Sequence, residues 1–599
     1  MTDFATTQAS QGAAASGIRT AGVSAAEADR ENWIISNRGP GTYDEEGRLA
    51  WKKGGLSMVL IPPAVAAAQE PGTKVTWLAA ADGEGDVARQ DDGKLWTQGP
   101  AAPRQKHPVE LRFLELSPRE LQMYYGVIAN TALWLGLHGS EHHLSRNEIL
   151  EAWPVYEAVN RRFADFVALR ASPGATVQVH DFQLALAGQM LQEMRPDLRI
   201  VGYWHIPMDS EKTVMRSFRE TPLHRPCTEA LYRAMGAIPM AFQRTEWAAL
   251  FHGGYRRLIG HRPPAETSIM PVFVDRKYLE CEARMRQVDE AIKQIDREMQ
   301  DANRGEPFSG KVIGFVGRGD PKNGIPRLID AWEKVLADDS IEDKPALVLN
   351  SGPTRPGVKA FDDHWELIER RVAEVRVAHP NAILLMRGET RADAVAIFRR
   401  ADVAVIPSLA GGRDIVGQEA VAFKTHGDRP GVVVTSAGAG TSDTLFRIPR
   451  ALRDGIANVP RSVAPGDWLP GALLVSNVGP RANHGHAVRA FAGAIKAALV
   501  MSPREVAQRQ SNMRLGLEVE NPEKWFGFLN GQARTATEVA DDLAARQGRV
   551  TERPFARYDL FAEILEAQRR VDGTFPSPAD GNTSARGGAD DGGLGLGIA

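Results

Sequence analysis

The sequence has little cysteine, no long apolar run and almost no net charge, and each absence excludes a class of protein. Its 599 residues include only Cys227 and Cys281, too few for a disulfide framework or a cysteine-rich zinc site. No stretch is apolar over the length that a membrane span needs. The formal net charge of −3 gives no reason to expect nucleic acid as a partner. We therefore expect a cytoplasmic protein that acts on small molecules.

Strand-like apolar runs alternate with helix-length amphipathic stretches over most of the chain. This alternation predicts parallel sheets with helices on both faces, and the length exceeds that of a single core. We expect an α/β protein with two Rossmann-like, doubly wound parallel-sheet domains facing across a cleft. The predicted division is a disordered tail at 1–30, a first domain at 31–280, a second domain at 281–515, helices at 516–574 that partly return to the first domain, and a disordered tail at 575–599.

The most informative segment is RGDPKNG, at Arg318–Gly324, which follows the apolar run VIGFVG. Such a run is typical of a buried parallel strand, and ligands of open α/β sheets bind at the carboxyl ends of these strands. The segment brings Arg318 and Lys322 to that edge, and two cations aimed at one point suit a diphosphate. A second glycine loop, GGRDIVGQE at Gly411–Glu419, follows the strand VAVIP. The two loops predict a nucleotide-sugar site in which Glu419 accepts ribose hydroxyls.

Polar residues also end strands in the first half of the chain. Arg38 follows the first strand within NRGP, and the glycine turn of KKGGL, with Gly55, comes shortly afterwards. His180 and Asp181 end one strand, and His205 ends the next. A carboxylate accepts sugar hydroxyls and a histidine donates to them, but such residues also serve as helix caps or satisfied interior groups. Because both strand ends lie at one sheet edge, a binding role gains weight.

Two aromatic residues and one further arginine complete the candidates. Tyr125 and Trp134 lie nine residues apart among apolar residues, where flat rings either stack on carbohydrate or form a core stripe on a helix. Arg355 lies in the loop SGPTRPG, which two prolines constrain. There it either clamps a phosphate opposite Arg38 or is simply solvated. Taken singly, Tyr125, Trp134 and Arg355 are each also consistent with a purely structural role.

Taken together, seven segments resemble the trehalose-phosphate synthase family of retaining glycosyltransferases, which have the GT-B fold. The resemblance runs from about Trp33 to Leu529, and the segments occur in the family's order. They are NRGP, GGL, the block with Tyr125, Asn130 and Trp134, VHD-x-x-L, HIP, R-x-D with its glycine, and the loop ending at Glu419. The resemblance implies metal-independent, cofactor-free transfer of a glycosyl or glycosyl-like unit from a UDP-, GDP- or ADP-linked donor to a phosphorylated sugar or cyclitol, with retained configuration.

The resemblance also implies roles for individual residues. The acceptor site is expected to comprise Arg38, Trp77, Tyr125, Trp134, Asp181 and Arg355. The donor site is expected to comprise Gly55, His205, Arg318, Lys322, Asn323, Gly412, Arg413, Asp414 and Glu419. Catalysis is expected to depend on Arg318, Lys322, Asp181 and His205. Partners are expected to be the two small-molecule substrates, without nucleic acid or membrane, and the family allows homo-oligomers.

The sequence departs from the family at two positions that contact the donor. The family spaces its arginine and lysine five residues apart, whereas Lys322 comes four residues after Arg318 and Asn323 stands at the fifth. Either Lys322 or Asn323 therefore meets the diphosphate. The family's loop Asp-Gly-Met-Asn is Gly-Gly-Arg-Asp here, at Gly411–Asp414. These departures keep two alternatives open. One is a pseudo-glycosyltransferase, or another antibiotic-pathway transferase with an unusual nucleotide-linked donor and an amine or thiol acceptor. The other is an inert sensor of nucleotide sugars.

Overall fold

The computed structural model describes one stretch of the chain with short gaps. It comprises residues 30–547 except 52–55, 97–104, 141–143, 219–223, 273, 389, 413, 425–427, 441–444, 450–467, 477 and 519–521. Two candidate site residues, Gly55 and Arg413, lie outside the described residues, as do residues 1–29 and 575–599 of the expected tails. Within the described part of the chain, no helix combines the length and the hydropathy needed to cross a bilayer.

The first domain is built on one large parallel sheet. Its strands are β1 Arg30–Ile35, β2 Gly41–Tyr43, β3 Leu49–Trp51, β4 Thr73–Ala80, β5 Gly93–Leu95, β6 Val109–Leu114, β7 Thr176–His180, β8 Arg199–Trp204, β9 Met240–Phe242 and β10 Thr267–Ile269. Strands β2 and β3 pair as a separate antiparallel hairpin, and the others follow the order β10-β9-β8-β7-β1-β4-β6-β5. Only the edge strand β5 is antiparallel to its neighbour in this sheet. Trp33 and Ile35 pack on one face and Ile34 on the other, so both faces are covered.

The second domain repeats this construction. Its strands are β11 Val312–Val316, β12 Ala346–Asn350, β13 Leu384–Arg387, β14 Val403–Ile406, β15 Val432–Ser436, β16 Arg447–Pro449, β17 Trp468–Pro470 and β18 Leu473–Val475. Six of them form a fully parallel sheet in the order β13-β12-β11-β14-β15-β18, and β16 and β17 form a small antiparallel pair. In β11, Ile313 and Phe315 pack on one face and Val312 on the other. The two sheets confirm the predicted parallel α/β class.

Helices cover both sheets. Those of the first domain are Leu56–Ala68, Pro118–Glu120, Leu121–Leu135, Arg146–Arg170, Ala187–Met194, Glu211–Ser217, His224–Ala237 and Thr245–Ile259. Those of the second are Arg276–Ala283, Arg286–Ala302, Ile325–Leu336, Lys359–Ala378, Arg391–Arg400, Val416–Ala422, His484–Leu499 and Pro503–Glu518. Two more, Pro522–Gln532 and Ala536–Gln547, follow, and single 3₁₀ turns occur at Val87–Arg89, Phe182–Leu184 and Pro321–Asn323.

Helix Leu121–Leu135 is a π-helix rather than an α-helix. Two of its side chains also bond to a backbone carbonyl five residues earlier: Asn130 Nδ2 donates to Tyr125 at 2.8 Å, and Thr131 Oγ1 donates to Gly126 at 2.9 Å. In an α-helix, residues nine apart are separated by two and a half turns and point in opposite directions. The wider π turn brings Tyr125 and Trp134 towards the same side.

The helix Pro522–Gln532 packs on the first domain. Trp525 and Leu529 belong to a buried cluster that lies against the first sheet. Beyond this helix, Arg534 forms an antiparallel bridge with Ile200 of β8. The segment that follows the second domain in sequence therefore packs into the core of the first domain.

Candidate functional site

The two sheets present their carboxyl ends to a cleft between the domains. A cavity of about 1290 Å³ occupies part of this cleft, and residues from both domains line it. Arg38, Tyr125 and Arg355 are among the lining residues, whereas Asp181, His205 and Glu419 are not. Cavities at this edge of parallel sheets are the usual ligand sites of α/β proteins, so the cleft is the candidate active site.

Three arginines, which we call the arginine cluster, surround Tyr125: Arg38, Arg318 and Arg355. The guanidinium of Arg38 lies 6.0 Å from the centre of the Tyr125 ring. Burial raises the pKa of Tyr125, but the charges of Arg38, Arg355 and Arg318 outweigh it and hold the pKa below its ordinary value. Arg38 and Arg318 are exposed, and neither side chain has a hydrogen bond or ion pair with another described residue. Free cations in a cleft attract an anion.

Asp320 is a fully buried carboxylate beside the arginine cluster. Its Oδ2 accepts from Nη1 of Arg355 at 2.7 Å, and its Oδ1 accepts from the backbone of Lys322 at 3.1 Å and from Nε1 of Trp134 at 3.4 Å. Burial alone would raise the pKa of Asp320. The nearby cations, Arg355 foremost, lower this pKa by more than burial raises it, so the carboxylate stays ionised. Arg355 Nε also donates to Asn130 Oδ1 at 2.6 Å. The two domains are therefore joined through Arg355, whose Nη2 has no partner among the described residues.

The ends of β7 and β8 bring together His180, Asp181 and His205. The backbone of Asp181 has a φ of 75°, a value that residues other than glycine rarely adopt. Residues with such strained backbones cluster at functional sites. Its Oδ1 accepts from the backbone N–H of His205 at 3.2 Å, and burial raises its pKa to about 7. His180 Nδ1 lies 3.0 Å from His205 Nε2, and burial lowers the pKa of His180 to about 3. This edge therefore holds neutral histidines beside a carboxylate that titrates near neutral pH.

On the other side of the cleft, the loop after β11 meets the loop after β14. Lys322 Nζ donates to Asp414 Oδ1 at 2.9 Å, and these side chains are 11% and 9% exposed. Asn323 Nδ2 donates instead to the carbonyl of Arg318 at 2.7 Å, which closes its own loop. Lys322, rather than Asn323, therefore directs its side chain to the glycine loop.

The glycine loop also contacts the first domain. A Cβ added at Gly412 would lie 2.5 Å from the carbonyl oxygen of His205, so this close approach requires glycine. The neighbouring Asp414 has a φ of 43°, and its Oδ2 is buried without a partner among the described residues. A buried carboxylate oxygen without a donor is costly, which makes it a ready acceptor for a ligand.

Glu419 lies on helix Val416–Ala422 and is 4% exposed. Its Oε1 accepts from Nη1 of Arg391 at 2.8 Å, and Arg391 forms two further hydrogen bonds with Glu282. This network fixes the position of the Glu419 carboxylate. Glu419 Oε2 has no partner among the described residues and is available to a ligand.

Two predictions about aromatic residues differ from the structure. Trp77 is fully buried in β4, where its Nε1 donates to Ser36 Oγ at 2.8 Å. The predicted contact between Trp77 and the acceptor is therefore wrong, because a central strand of the sheet turns this ring into the core. Trp134 is 8% exposed, with His138 and the Arg355 guanidinium each 4.2 Å from its ring. Its ring is covered by protein and supports Arg355.

Sequence reasoning missed several residues that shape the cleft. Asn130 and Asp320 stand inside recognised motifs, but nothing in their spacing indicated that both bind Arg355. Arg391 belongs to none of the recognised motifs, and its contact with Glu419 is seen only in the structure. In the described ranges, no group of three His, Cys, Asp or Glu residues is arranged to hold a metal ion.

Comparison with known proteins extends over most of the chain. Residues 31–449 match the family model described as glycosyltransferase family 20. The trehalose-6-phosphate synthase of Mycobacterium avium is 30% identical over 441 residues, which cover 69% of this chain and 83% of that protein. The trehalose-6-phosphate synthase of Mycolicibacterium gilvum is 27% identical over 551 residues, which cover 86% and 97%.

Solved structures share the fold. An E. coli structure bound with UDP-2-fluoro glucose superposes with a TM-score of 0.61 at 20% identity, covering 84% of this chain and 100% of that one. A trehalose-phosphate synthase from Burkholderia xenovorans in complex with glucose-6-phosphate gives 0.60 at 19% identity, covering 84% and 99%. These likenesses confirm the predicted GT-B fold, and the relatives do not favour the amine- or thiol-acceptor alternative. The chain is a retaining glycosyltransferase that moves a glycosyl unit from a nucleoside-diphosphate donor to a phosphorylated sugar, and it belongs to glycosyltransferase family 20, the trehalose-phosphate synthase family.

Proposed function

We propose that the donor is UDP-glucose and the acceptor is glucose 6-phosphate, so that the product is trehalose 6-phosphate. The observation that carries this proposal is the arginine cluster, Arg38, Arg318 and Arg355, around Tyr125. Of these four residues, Arg38, Tyr125 and Arg355 line the open cavity. A cluster of guanidinium groups is suited to phosphate, which takes several charge-assisted hydrogen bonds at once. The E. coli structure with UDP-2-fluoro glucose and the B. xenovorans structure with glucose-6-phosphate support the choice of substrates.

The acceptor binds on the side of the cleft formed by the first domain. Arg38, the hydroxyl of Tyr125 and Nη2 of Arg355 hold its phosphate, since all three residues line the cavity. Trp134 keeps Arg355 in place by stacking on it. Asp181, whose backbone has the strained φ of 75°, accepts a hydrogen bond from a sugar hydroxyl.

The donor binds between the two loops of the second domain. Arg318 and Lys322 hold the diphosphate, and for this Lys322 exchanges its bond with Asp414 for one with phosphate. Glu419 Oε2 accepts the ribose hydroxyls. Gly412, Asp414 and His205 contact the glycosyl unit, and the resemblance adds Gly55 and Arg413.

Transfer follows from this placement. The acceptor hydroxyl attacks the face of the anomeric carbon from which the diphosphate departs, which retains the configuration. The leaving diphosphate takes the proton of that hydroxyl, while Arg318 and Lys322 stabilise the charge that develops on it. The protein contributes by orienting the two substrates and by supplying fixed positive charge.

Replacing Arg38 by alanine is expected to raise the KM for the phosphorylated acceptor about 10- to 100-fold with little change in kcat, because one charge-assisted hydrogen bond is lost. Steady-state kinetics with saturating donor and varied glucose 6-phosphate measure the effect. Arg48→Ala is the matched control, since that arginine is 74% exposed on the neighbouring hairpin. An unchanged KM in Arg38→Ala contradicts the proposed phosphate site.

The nucleotide is tested by thermal shift. UDP, GDP and ADP are added separately to the protein, and we expect UDP to raise the Tm most. A ligand at a hundredfold excess over its Kd stabilises the folded state by about 2.7 kcal/mol. Formation of trehalose 6-phosphate from UDP-glucose and glucose 6-phosphate, followed by NMR of the product, then tests the full reaction. Preference for GDP or ADP, or absence of this product, contradicts the assignment.

A further inference from the structure

A line of buried and half-buried polar side chains runs from the carboxyl end of β8 through the first domain. His205 Nε2 lies 3.0 Å from His180 Nδ1, and His180 Nε2 lies 3.1 Å from Gln178 Oε1. Gln178 Nε2 donates to Asn530 Oδ1 at 2.6 Å, and Asn530 Nδ2 donates to Asn32 Oδ1 at 3.0 Å. We call these five residues the polar chain. It joins the cleft to the helix Pro522–Gln532, and the transfer mechanism above does not use it.

The polarity of the polar chain is set at its far end. Asn32 Nδ2 donates to the backbone carbonyl of Arg30 at 3.4 Å, and a carbonyl oxygen is only an acceptor. Asn32 therefore turns its Oδ1 towards Asn530, which meets it with Nδ2. Asn530 in turn presents Oδ1 to Gln178, which meets it with Nε2. Gln178 is left with Oε1 facing the ring of His180.

This polarity decides which ring nitrogens carry protons. Burial lowers the pKa of His180 to about 3, and burial together with His180 lowers that of His205 well below its ordinary value, so both rings are neutral. His180 donates from Nε2 to Gln178 and therefore accepts through Nδ1. The proton between the rings then belongs to His205 Nε2. His205 Nδ1 has a free lone pair and no partner among the described residues. The sequence favoured a histidine that donates to sugar hydroxyls, whereas this nitrogen accepts.

We propose that His180 is a positioning residue for glycosyl transfer: it holds His205 with its proton on Nε2, so that His205 Nδ1 accepts a hydrogen bond from a hydroxyl of the donor glycosyl unit. The proposal rests on the proposed donor contact of His205. The ring of His180 is fully buried and sits one position before Asp181 at the strand end, so it acts on substrate only through His205. Through the amide of Asn530, the helix Pro522–Gln532 also takes part in holding His205.

A double-mutant cycle tests the coupling. We expect His180→Leu to lower kcat/KM for UDP-glucose about tenfold in the otherwise unchanged protein and less than about twofold in the His205→Ala background. His180→Asn keeps an amide oxygen near His205 Nε2 and is expected to retain most of the activity. Asn530→Leu breaks the polar chain on the helix and is expected to lower kcat/KM in the same direction. An equal loss from His180→Leu in both backgrounds overturns the proposal.

The tautomer is read directly by ¹⁵N NMR of ring-labelled histidine, with the His205 signals assigned by their loss in His205→Ala. We expect a protonated Nε2 and an unprotonated Nδ1 at His205, and a proton on Nδ1 overturns the proposal. This readout needs no substrate, so it stands even if the protein forms no trehalose 6-phosphate. His252→Leu is the matched control, because His252 is a histidine of the same domain whose Nε2 bonds to Thr267 at 2.8 Å, outside the polar chain. It is expected to leave both kcat/KM and the His205 signals unchanged.

Discussion

Replacing Arg318 by alanine is expected to lower kcat by about 10²–10³-fold while the protein stays folded. Removing one fixed donor from the site where charge develops in a transition state typically raises the barrier by about 2.7–4 kcal/mol. Arg318 is exposed and pairs with no described carboxylate, so its loss breaks no ion pair among the described residues. Burial and the guanidinium of Arg355 lower the pKa of Arg318, and the carboxylate of Asp320 offsets part of this effect.

The measurements are steady-state kinetics and the Tm of the same samples. Because Arg318→Ala removes repulsion within the arginine cluster, its Tm should equal or exceed that of the unchanged protein. Arg286→Ala is the control, since the Arg286 side chain is 90% exposed on a helix that bears no proposed site residue. A kcat of Arg318→Ala near that of the unchanged protein contradicts a role of Arg318 in transfer. A large fall in Tm shows instead that Arg318 stabilises the fold.

Replacing Asp181 by asparagine is expected to lower kcat/KM by about 10- to 100-fold and yet to raise the Tm at alkaline pH. A hydrogen bond to a charged group is worth about 1.5–3 kcal/mol, which accounts for the loss of activity. Burial raises the pKa of Asp181 from 3.8 to about 7. The folded protein therefore binds more protons than the unfolded chain between these values, and its stability falls as the pH rises through that window.

Asparagine carries no charge, so the difference in Tm between Asp181→Asn and the unchanged protein should vanish near pH 4 and reach its full size above pH 7. We expect at least about 2 °C at pH 8.5, since 1 kcal/mol shifts the Tm of a large domain by about 2–4 °C. Asparagine also tolerates positive φ, so the backbone is preserved. Glu290→Gln, at a side chain that is 57% exposed, is the control. A Tm difference that is the same at pH 5.5 and 8.5 contradicts the raised pKa.

The sequence predicted most of the parallel strands, because many of them are short runs rich in apolar residues. The run VIGFVG became β11, and ALVLN became β12. The segment SIMPVFV is strand only over Thr267–Ile269, since Pro271 has no N–H to continue the ladder. Strands of three residues at the edge and in the hairpin, such as Gly93–Leu95, are too short to show a period.

Residues at the strand ends were also predictable as candidates, but their bonding partners were not. Nothing in the sequence distinguishes the π turn of Leu121–Leu135 from an α turn, yet that turn decides that Tyr125 and Trp134 share a side. The pairing of Lys322 with Asp414 joins two loops that are separated by three strands in sequence. The polar chain depends on Asn530. The hydrogen bond between Asn530 and Gln178 joins residues far apart in sequence, so it could not be predicted from the sequence.

The packing of helix Pro522–Gln532 on the first sheet has a consequence for biosynthesis. Trp525, Phe526, Leu529 and Ala533 help to fill a core whose other buried members precede residue 273, so the whole second domain is translated in between. At ~5–20 residues per second, on the order of 10–50 s separate the emergence of the two parts from the ribosome. During that interval an apolar patch on the newly made first domain stays uncovered, and we expect chaperones to bind it.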